Sequence, residues 1–334
     1  PVPFLDRFGQ IEGRTSGSVN LSGLPDLAAG TIDLVTANGT IGSQSFQNLL
    51  VKGNFDGNGN VAANIAITSG GGTFRLDGTA NINTTAFNFT FASDDMPLST
   101  VVAVLPPVGA ASSATGTVDV TGSATGNYND VASYNVNFAG TATNVVINDQ
   151  AFGTVTLKGS TNNQILNAEM VVSLAGKPQP IVATINFGDP NLPFAVRSVF
   201  DQSPLGPFFA LVPPARNVNV SGVGTGVIQF GGNLSYVDKN GVRVYSTENL
   251  TGEARFSSLA LRIEETPLVA TEPVVIRFDP RQMTFESASF AGGGNNVTVT
   301  GTIALSTGGV NNLAVNGRIN LALLNVIGPI KTSG

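Results

Sequence analysis

Two proline-bounded apolar segments recur in this chain 107 residues apart, from Pro97 to Pro204. Residues 97–107 read Pro-Leu-Ser-Thr-Val-Val-Ala-Val-Leu-Pro-Pro, and residues 204–214 read Pro-Leu-Gly-Pro-Phe-Phe-Ala-Leu-Val-Pro-Pro. A looser third copy occupies residues 319–329. Similarity at a long period is the signature of an array of structural units, and it constrains the architecture more than any local pattern. We therefore predict three repeats, at residues 1–108, 109–215 and 216–334.

Between the proline segments, apolar and polar residues alternate along the chain. Ile65 and Ile67 belong to one such run, and Phe87, Phe89 and Phe91 belong to another. Their polar neighbours are mostly Asn, Thr, Ser and Lys. A period of two predicts β-strands that have one apolar and one polar face.

Short turn-forming sequences separate these runs. They include Asn38-Gly39, Asp-Gly-Asn-Gly at residues 56–59 and three glycines at residues 70–72. Glycine and asparagine favour tight turns, and strands joined by short connections tend to lie side by side as antiparallel neighbours. The proline segments are too short to form stable free helices. We predict that each one contributes a turn or two of helix that lies against the sheet.

The predicted fold is all-β. We expect an elongated antiparallel sheet, folded lengthwise into a U-shaped hydrophobic groove (a β-taco) with short helical segments bounded by proline. Tandem β-sandwiches would also cover the apolar faces. A β-solenoid is a further alternative, although its coils recur every 20–30 residues or so and not near 107. Proline at the boundaries between repeats, in place of polar linkers, favours one continuous sheet.

Composition excludes several classes of function. The 334 residues carry a net charge of −6 and no cluster of Lys or Arg, so a nucleic-acid partner has no electrostatic basis. The chain contains no His and no Cys. It therefore lacks the residues for Ser-His-Asp and Cys-His catalysis and for the usual zinc sites. We predict a protein that is not an enzyme and that uses no cofactor and no metal.

A few local stretches carry residue types that are used in functional sites. Glu264-Glu265 fall on a predicted strand, where adjacent carboxylates point to opposite faces. Residues 56–60 begin like a calcium loop, but Ile67 stands where an EF-hand has Glu, and a hairpin turn is favoured. Asp94-Asp95 indicate a solvated turn. Residues 222–226, Gly-Val-Gly-Thr-Gly, indicate a tight turn, because they lack the Lys of a phosphate loop.

Residues 97–126 and 204–226 resemble the repeats of the TamB/AsmA-like family. In those repeats an apolar segment that ends in proline precedes a motif such as Gly-Thr-Val-Asp-Val-Thr-Gly, here at residues 116–122, and alternating strands follow. Residues 247–330 are similar. The resemblance implies a long U-shaped sheet with a hydrophobic groove. It also implies a protein that is anchored in the inner membrane of a diderm bacterium, crosses the periplasm and carries phospholipid towards the outer membrane.

By this resemblance, the chain is a central segment of a lipid-transfer conduit linked to outer-membrane biogenesis. Its ligands would be phospholipid acyl chains. An outer-membrane barrel partner and the inner membrane would be reached through regions outside this sequence. The alternative is an extracellular structural repeat, such as an adhesin stalk or a passenger domain, at the cell surface or secreted, with a closed β core.

Mobile acyl chains need smooth aliphatic walls, and Val, Ile, Leu and Phe supply them on the apolar side of the strands. Under the alternative, the same residues form an ordinary dry core. We predict that the following residues line the groove: Val118, Val120, Val136, Phe138, Val145, Ile147, Val155, Leu157, Val172, Leu174, Ile185, Phe187, Leu261, Ile276, Val299 and Ile303.

Overall fold

The computed structural model describes residues 11–23, 28–41, 44–104, 113–174, 176–209, 219–237, 243–246, 249–305 and 309–319. Most of these residues lie in β-strands. The chain divides into two compact units: residues 1–170 with 186–190, and residues 171–185 with 191–334. We call them the first and the second compact unit.

The first part of the chain has the same element order twice, with six strands followed by a short helix. The first set consists of β1 (Ile11–Ser22), β2 (Ala29–Ile41), β3 (Gln44–Asp56), β4 (Asn60–Ser69), β5 (Gly72–Asn81), β6 (Ala86–Pro97) and α1 (Leu98–Val104). The second set consists of β7 (Ala114–Asn127), β8 (Asp130–Ile147), β9 (Gln150–Asn162), β10 (Ile165–Leu174), β11 (Lys177–Asn186), β12 (Pro193–Pro204) and α2 (Gly206–Phe209).

The last part of the chain is less regular. It consists of β13 (Val220–Asn233), β14 (Ser235–Val237), β15 (Arg243–Tyr245), β16 (Thr251–Ile263), β17 (Thr266–Ala270), β18 (Val274–Phe278), β19 (Gln282–Gly292), β20 (Asn295–Ala304) and β21 (Asn312–Arg318). Strands β14 and β15 form a hairpin of their own. Strands β17 and β18 both pair with β16 and with β19, so together they take the place of one strand. Apart from the hairpin, this part also has six strand positions.

The other nineteen strands belong to one sheet. Successive strands are antiparallel neighbours, as in the series from β1 to β9. The prediction of an all-β fold built on one antiparallel sheet, with short helices in the first two proline segments, is confirmed. A single sheet of this kind differs from tandem sandwiches and from a parallel solenoid. The division into repeats at residues 108 and 215 stays a prediction.

A β-bulge precedes each of the two helices. The pairing of β6 with β7 shifts between Ser93 and Met96, and the pairing of β12 with β13 shifts between Phe200 and Ser203. Each bulge contains a residue with a left-handed backbone, Asp95 at φ 48° and Gln202 at φ 47°. These two residues lie 107 positions apart, so the bulge belongs to the repeat. The prediction of a turn at Asp94-Asp95 is wrong, because these residues bulge from a continuing strand.

Three other local predictions are also wrong. Asn38-Gly39 lies inside β2, and residues 222–226 lie inside β13. Glu264-Glu265 form the turn between β16 and β17, where Glu264 has a φ of 51°. Bulges and tight turns both use Gly, Asn and other residues with positive φ. Residue types alone therefore did not separate an interruption inside a strand from the end of a strand.

Glycines in the sheet accommodate aromatic rings from the neighbouring strands. Phe138 lies opposite Gly122 on one side and Gly159 on the other. A methyl group added to Gly159 would lie 2.5 Å from two carbons of the Phe138 ring. Phe91 covers Gly122 in the same way, since an added methyl would lie 2.4 Å from its ring. Large rings thus lie flat across neighbouring strands because no side chain stands beneath them.

Replacement of Gly159 by Ala is expected to lower the free energy of unfolding by about 1–3 kcal/mol, the usual cost of overpacking. The Phe138 ring would have to move to make room for the methyl group. The double variant Gly159→Ala/Phe138→Leu should lose less stability than the sum of the losses of the two single variants, because the smaller side chain at position 138 relieves the clash. Chemical denaturation of the four proteins measures this coupling, and strictly additive losses would contradict the proposed contact.

Candidate functional site: the apolar face

In the first compact unit, one side of the sheet carries continuous rows of apolar side chains. Residues directly opposite each other on paired strands lie on the same side of a sheet, so the register connects them across it. The central row runs from β2 to β8 through Leu34, Val51, Ile65, Leu76, Phe91, Gly122 and Phe138. We call this side the apolar face.

The opposite side of the same strands is polar. The row next to the central one consists of Asp33, Lys52, Asn64, Asp77, Thr90, Ser123 and Asn137. Lys52 Nζ lies 3.2 Å from Asp33 Oδ2, and the side-chain amide of Asn64 donates a hydrogen bond to Asp77. Charge and hydrogen-bonding capacity are thus directed to the side away from the apolar rows.

The second compact unit has a polar side as well. Glu253 lies between Arg255 and Arg277, at 3.1 Å and 3.4 Å, and Arg277 also reaches Glu286 at 2.8 Å. The hydrogen bond from Arg255 is the main reason why the pKa of Glu253 lies below its ordinary value, and Arg277 acts in the same direction. This network keeps the Glu253 carboxylate ionised on the polar side.

Burial on the apolar face changes along the strands of the first compact unit. At the end where α1 lies, Phe46, Met96 and Val118 are only 4–7% exposed. The central row is half-buried. At the opposite end, Ile82 and Tyr128 are 52% and 47% exposed. The apolar face is therefore dry near α1 and becomes accessible to solvent away from it.

The second compact unit repeats this gradient. Near α2, Phe200, Phe256 and Val274 belong to a buried cluster and are 1–6% exposed. Farther along the same strands, Phe230 and Phe278 are half-buried, and both lie opposite a glycine of β16. The same arrangement thus arises twice, with a closed end beside a helix and a more open end away from it.

Leu205, which immediately precedes α2, and Phe208 within α2 close the buried end directly. The backbone N–H of Leu205 donates to the carbonyl of Gly222 at 2.9 Å, and the Leu205 side chain is 2% exposed. The ring of Phe208 meets the ring of Phe200 edge to face, with the centroids 5.4 Å apart. This proline segment therefore lies against the sheet, as predicted. Residues 105–107, 210–214 and 320–329 of the three proline segments lie outside the described residues.

Truncation of Leu205 to Ala is expected to lower the free energy of unfolding by about 2–5 kcal/mol, because it opens a cavity at the closed end. The matched control is Val223→Ala on the opposite side of the sheet. Val223 is 44% exposed, and a surface truncation of this kind changes stability by about 0.5 kcal/mol. Thermal or chemical denaturation measures the stability of both variants, and equal losses would show that Leu205 does not close a core.

Four aromatic rings meet at the open end of the first compact unit. Phe87 contacts Phe89 and Tyr134, with centroid distances of 5.6 Å and 5.4 Å, and Tyr134 contacts Phe187 at 6.0 Å. Tyr134 lies on β8 and Phe187 directly follows β11. The ring that follows β11 thus joins the aromatic rings of β6 and β8 in one cluster.

None of the predicted lining residues is exposed. Five are buried, and all of these lie on β7 to β10: Val118, Val145, Val155, Val172 and Leu174. The other eleven are half-buried: Val120, Val136, Phe138, Ile147, Leu157, Ile185, Phe187, Leu261, Ile276, Val299 and Ile303. Their role as a lipid lining stays a prediction.

The register shows which of these residues lie together. Val118 and Val155 share one row across β7, β8 and β9, and Val120 and Leu157 share the next. The structure also adds half-buried residues of β2 to β6 to the same face, including Ile65. Their alternation in the sequence was the signal that could have identified them.

Asp56 forms a hairpin turn in the segment that begins like a calcium loop. Its Oδ1 accepts hydrogen bonds from the backbone N–H groups of Asn58 at 2.7 Å and Asn60 at 3.0 Å. The Asn60 side chain donates to Oδ2 at 2.6 Å. The hairpin interpretation is confirmed, with the turn between β3 and β4. The part of the chain that the structure describes contains no group of three or more Asp, Glu, His or Cys suited to a metal ion.

The hydrogen bond from the Asn60 side chain is the main reason why the pKa of Asp56 lies below its ordinary value. Replacement of Asn60 by Ala should therefore raise this pKa. A carboxylate whose pKa is lowered by folding stabilises the protein above its unfolded-state pKa, and this contribution is lost as the pH falls through the folded value. The variant should lose less stability on acidification. An NMR titration of Asp56 measures the shift, and an unchanged pKa would contradict this assignment.

Comparisons with known proteins do not assign this chain to a family. No family model, no curated protein and no solved structure matches the chain. The resemblance to the TamB/AsmA-like repeats therefore stays a prediction. Among the residues that the structure describes, no helix has the length and apolar character needed to cross a membrane.

Proposed function

We propose that the apolar face holds phospholipid acyl chains and that the chain is a segment of a periplasmic lipid-transfer conduit of the TamB/AsmA-like kind. The observation that carries this proposal is the half-buried central row, which extends from Leu34 on β2 to Phe138 on β8 without a charged residue. Apolar rows that keep contact with solvent are suited to a mobile apolar ligand.

The energetics of acyl chains fit such a surface. Each methylene group transferred from water to an apolar surface contributes about 0.8 kcal/mol, wherever along the surface it lies. A row of similar aliphatic and aromatic side chains offers many equivalent positions and no polar group that would favour one of them. Movement of a chain from one position to the next therefore costs little. Transport along the face would be passive.

The burial gradient suggests an orientation for the lipid. The dry end near α1, with Met96 and Val118, would form the floor of the binding surface. Acyl chains would lie on the half-buried central row, and the polar head groups would remain in water at the opposite end, beyond Ile82 and Tyr128. The anchor and the outer-membrane partner implied by the resemblance belong to this proposal as regions outside this sequence.

A second candidate function is an extracellular structural repeat with a closed core. The buried cluster in the second compact unit favours it, because Phe200, Val274 and Ala288 are each only 1% exposed. A stalk or a passenger domain would need this dry packing throughout. The two candidates differ in whether the half-buried rows bind a ligand.

The test is lipid content. In the first experiment, purified protein is extracted with organic solvent and the extract is analysed for phospholipid by mass spectrometry. In the second, refolded protein is titrated with a fluorescent phospholipid to measure binding. Val136→Asp places a charge on the half-buried part of the apolar face and should lower bound lipid several-fold. Asn137→Asp is the matched control, because it adds the same charge one residue away on the polar side. Val155 is buried, so its substitution tests folding more than binding.

Circular dichroism establishes that each variant keeps its β-structure. Folded wild-type protein that carries no phospholipid and binds none of the fluorescent probe would contradict the proposal and favour the structural repeat. Equal lipid binding by folded Val136→Asp and by wild type would show that the lining assignment is wrong.

A further inference from the structure

The open end of the first compact unit carries a group of aromatic rings on the apolar face. Phe87, Phe89, Tyr134 and Phe187 contact one another there. Each of the four is half-buried, so part of each residue stays in contact with solvent. We call these four residues the aromatic cluster. With acyl chains on the central row, this cluster would lie beside the lipid head group.

Glycines make room for the rings of the aromatic cluster. Phe87 lies opposite Gly126 across β6 and β7. A methyl group added to Gly126 would lie 2.9 Å from the ring of Tyr134. Gly78 lies opposite Phe89, and a methyl group added there would lie 2.6 Å from the Phe89 ring. The backbone therefore fixes the position of these rings at the open end.

The charges at this end all have the same sign. The described turns of the first compact unit at the open end are residues 56–60, 81–86, 127–130, 162–165 and 186–190. Their charged residues are Asp56, Asp130 and Asp189, and these turns contain no Lys and no Arg. Asp56 and Asp130 are exposed, and Asp189 is half-buried. Carboxylates without neighbouring cations favour a positively charged ligand over a negatively charged one.

The described cations of the first compact unit lie elsewhere. Lys52 and Lys158 form ion pairs on the polar side of the sheet. Arg75 belongs to the same side, in the row that also contains Ala66. Arg14 lies near the start of β1, at the other end of the strands. A phosphate group at the open end therefore meets no basic side chain in the described turns, whereas a cation meets carboxylates and aromatic rings.

We propose that the open end of the first compact unit binds the ammonium group of a phospholipid head group. The apolar face would then prefer zwitterionic phospholipids to anionic ones. This inference rests on the proposed function, because a head group reaches this end only when acyl chains lie on the apolar face. Aromatic rings attract a quaternary ammonium group through the negative faces of their π-systems, and the aspartates attract the same charge. A head group that carries only negative charge gains neither interaction.

The experiment titrates the purified chain with two fluorescent phospholipids, phosphatidylcholine and phosphatidylglycerol, that carry identical labelled acyl chains. Because only the head groups differ, the ratio of the two dissociation constants measures head-group recognition. Wild type should bind phosphatidylcholine about two- to fivefold more tightly, the effect of one exposed contact between a cation and an aromatic ring.

Tyr134→Leu removes a ring of the aromatic cluster and should lower this preference. Phe138→Leu is the matched control, because it makes a similar change on the same face of β8 but in the central row. It should weaken the binding of both lipids alike and leave their ratio unchanged. Circular dichroism checks the fold. If Tyr134→Leu unfolds, Tyr128→Leu replaces it, because Tyr128 lies at the same end and is 47% exposed.

Asp130→Asn tests the contribution of charge. It removes one carboxylate but keeps the side-chain oxygen that accepts a hydrogen bond from the backbone N–H of Ala132. This variant should also lower the preference for phosphatidylcholine. Asp77→Asn is its control, since it removes the same charge from the polar side of the sheet and should leave the ratio unchanged.

The outcomes separate this inference from the proposed function. Equal binding of the two lipids by wild type, or tighter binding of phosphatidylglycerol, overturns the inference and leaves the proposed function standing. A preference that neither Tyr134→Leu nor Asp130→Asn reduces also overturns it. Failure of folded wild type to bind either lipid contradicts the proposed function itself, and this inference with it.

Discussion

Backbone hydrogen bonding between consecutive antiparallel strands is the constraint on which the rest of this structure depends. Buried backbone N–H and C=O groups have to be paired, in this sheet mainly with those of neighbouring strands, and the register of that pairing places each side chain. The register that aligns Val51 with Leu34 also aligns Lys52 with Asp33. A slip by one residue would bring the lysine to the apolar face and the valine to the polar one. The two faces of the sheet therefore arise together from a single register.

Glycine gives the apolar face its surface. An ordinary sheet stacks a side chain at every position, but here large rings lie over strand positions that have none. Phe138 over Gly159 and Phe91 over Gly122 are two instances. Flat rings beside aliphatic side chains make the apolar surface continuous across neighbouring strands. A face of this kind can keep partial contact with solvent and still be apolar, which is what the proposed lipid ligand requires.

The proline segments determine where along the strands this surface is closed. In the second compact unit, Leu205 and Phe208 pack on the buried cluster around Phe200. In the first, the buried end of the apolar face also lies beside a short helix, and Thr100 of α1 lies 3.3 Å from Ser69, side-chain oxygen to side-chain oxygen. A bulge precedes each helix and belongs to the same repeat. The repeated segment thus buries the apolar side chains at one end of the sheet.

The sequence by itself determined that the fold is all-β, that similar segments recur near 107 residues, and which side of each strand is apolar. The strands and their apolar sides follow from a local period of two residues, and the recurrence is visible in the sequence directly. It did not reveal that Asp94-Asp95 and Asn38-Gly39 interrupt strands without ending them, because bulges and turns need the same backbone conformations. Only the tertiary structure decided the register and the gradient from buried Val118 to half-buried Val136, since burial depends on which neighbours cover a residue and not on its own type.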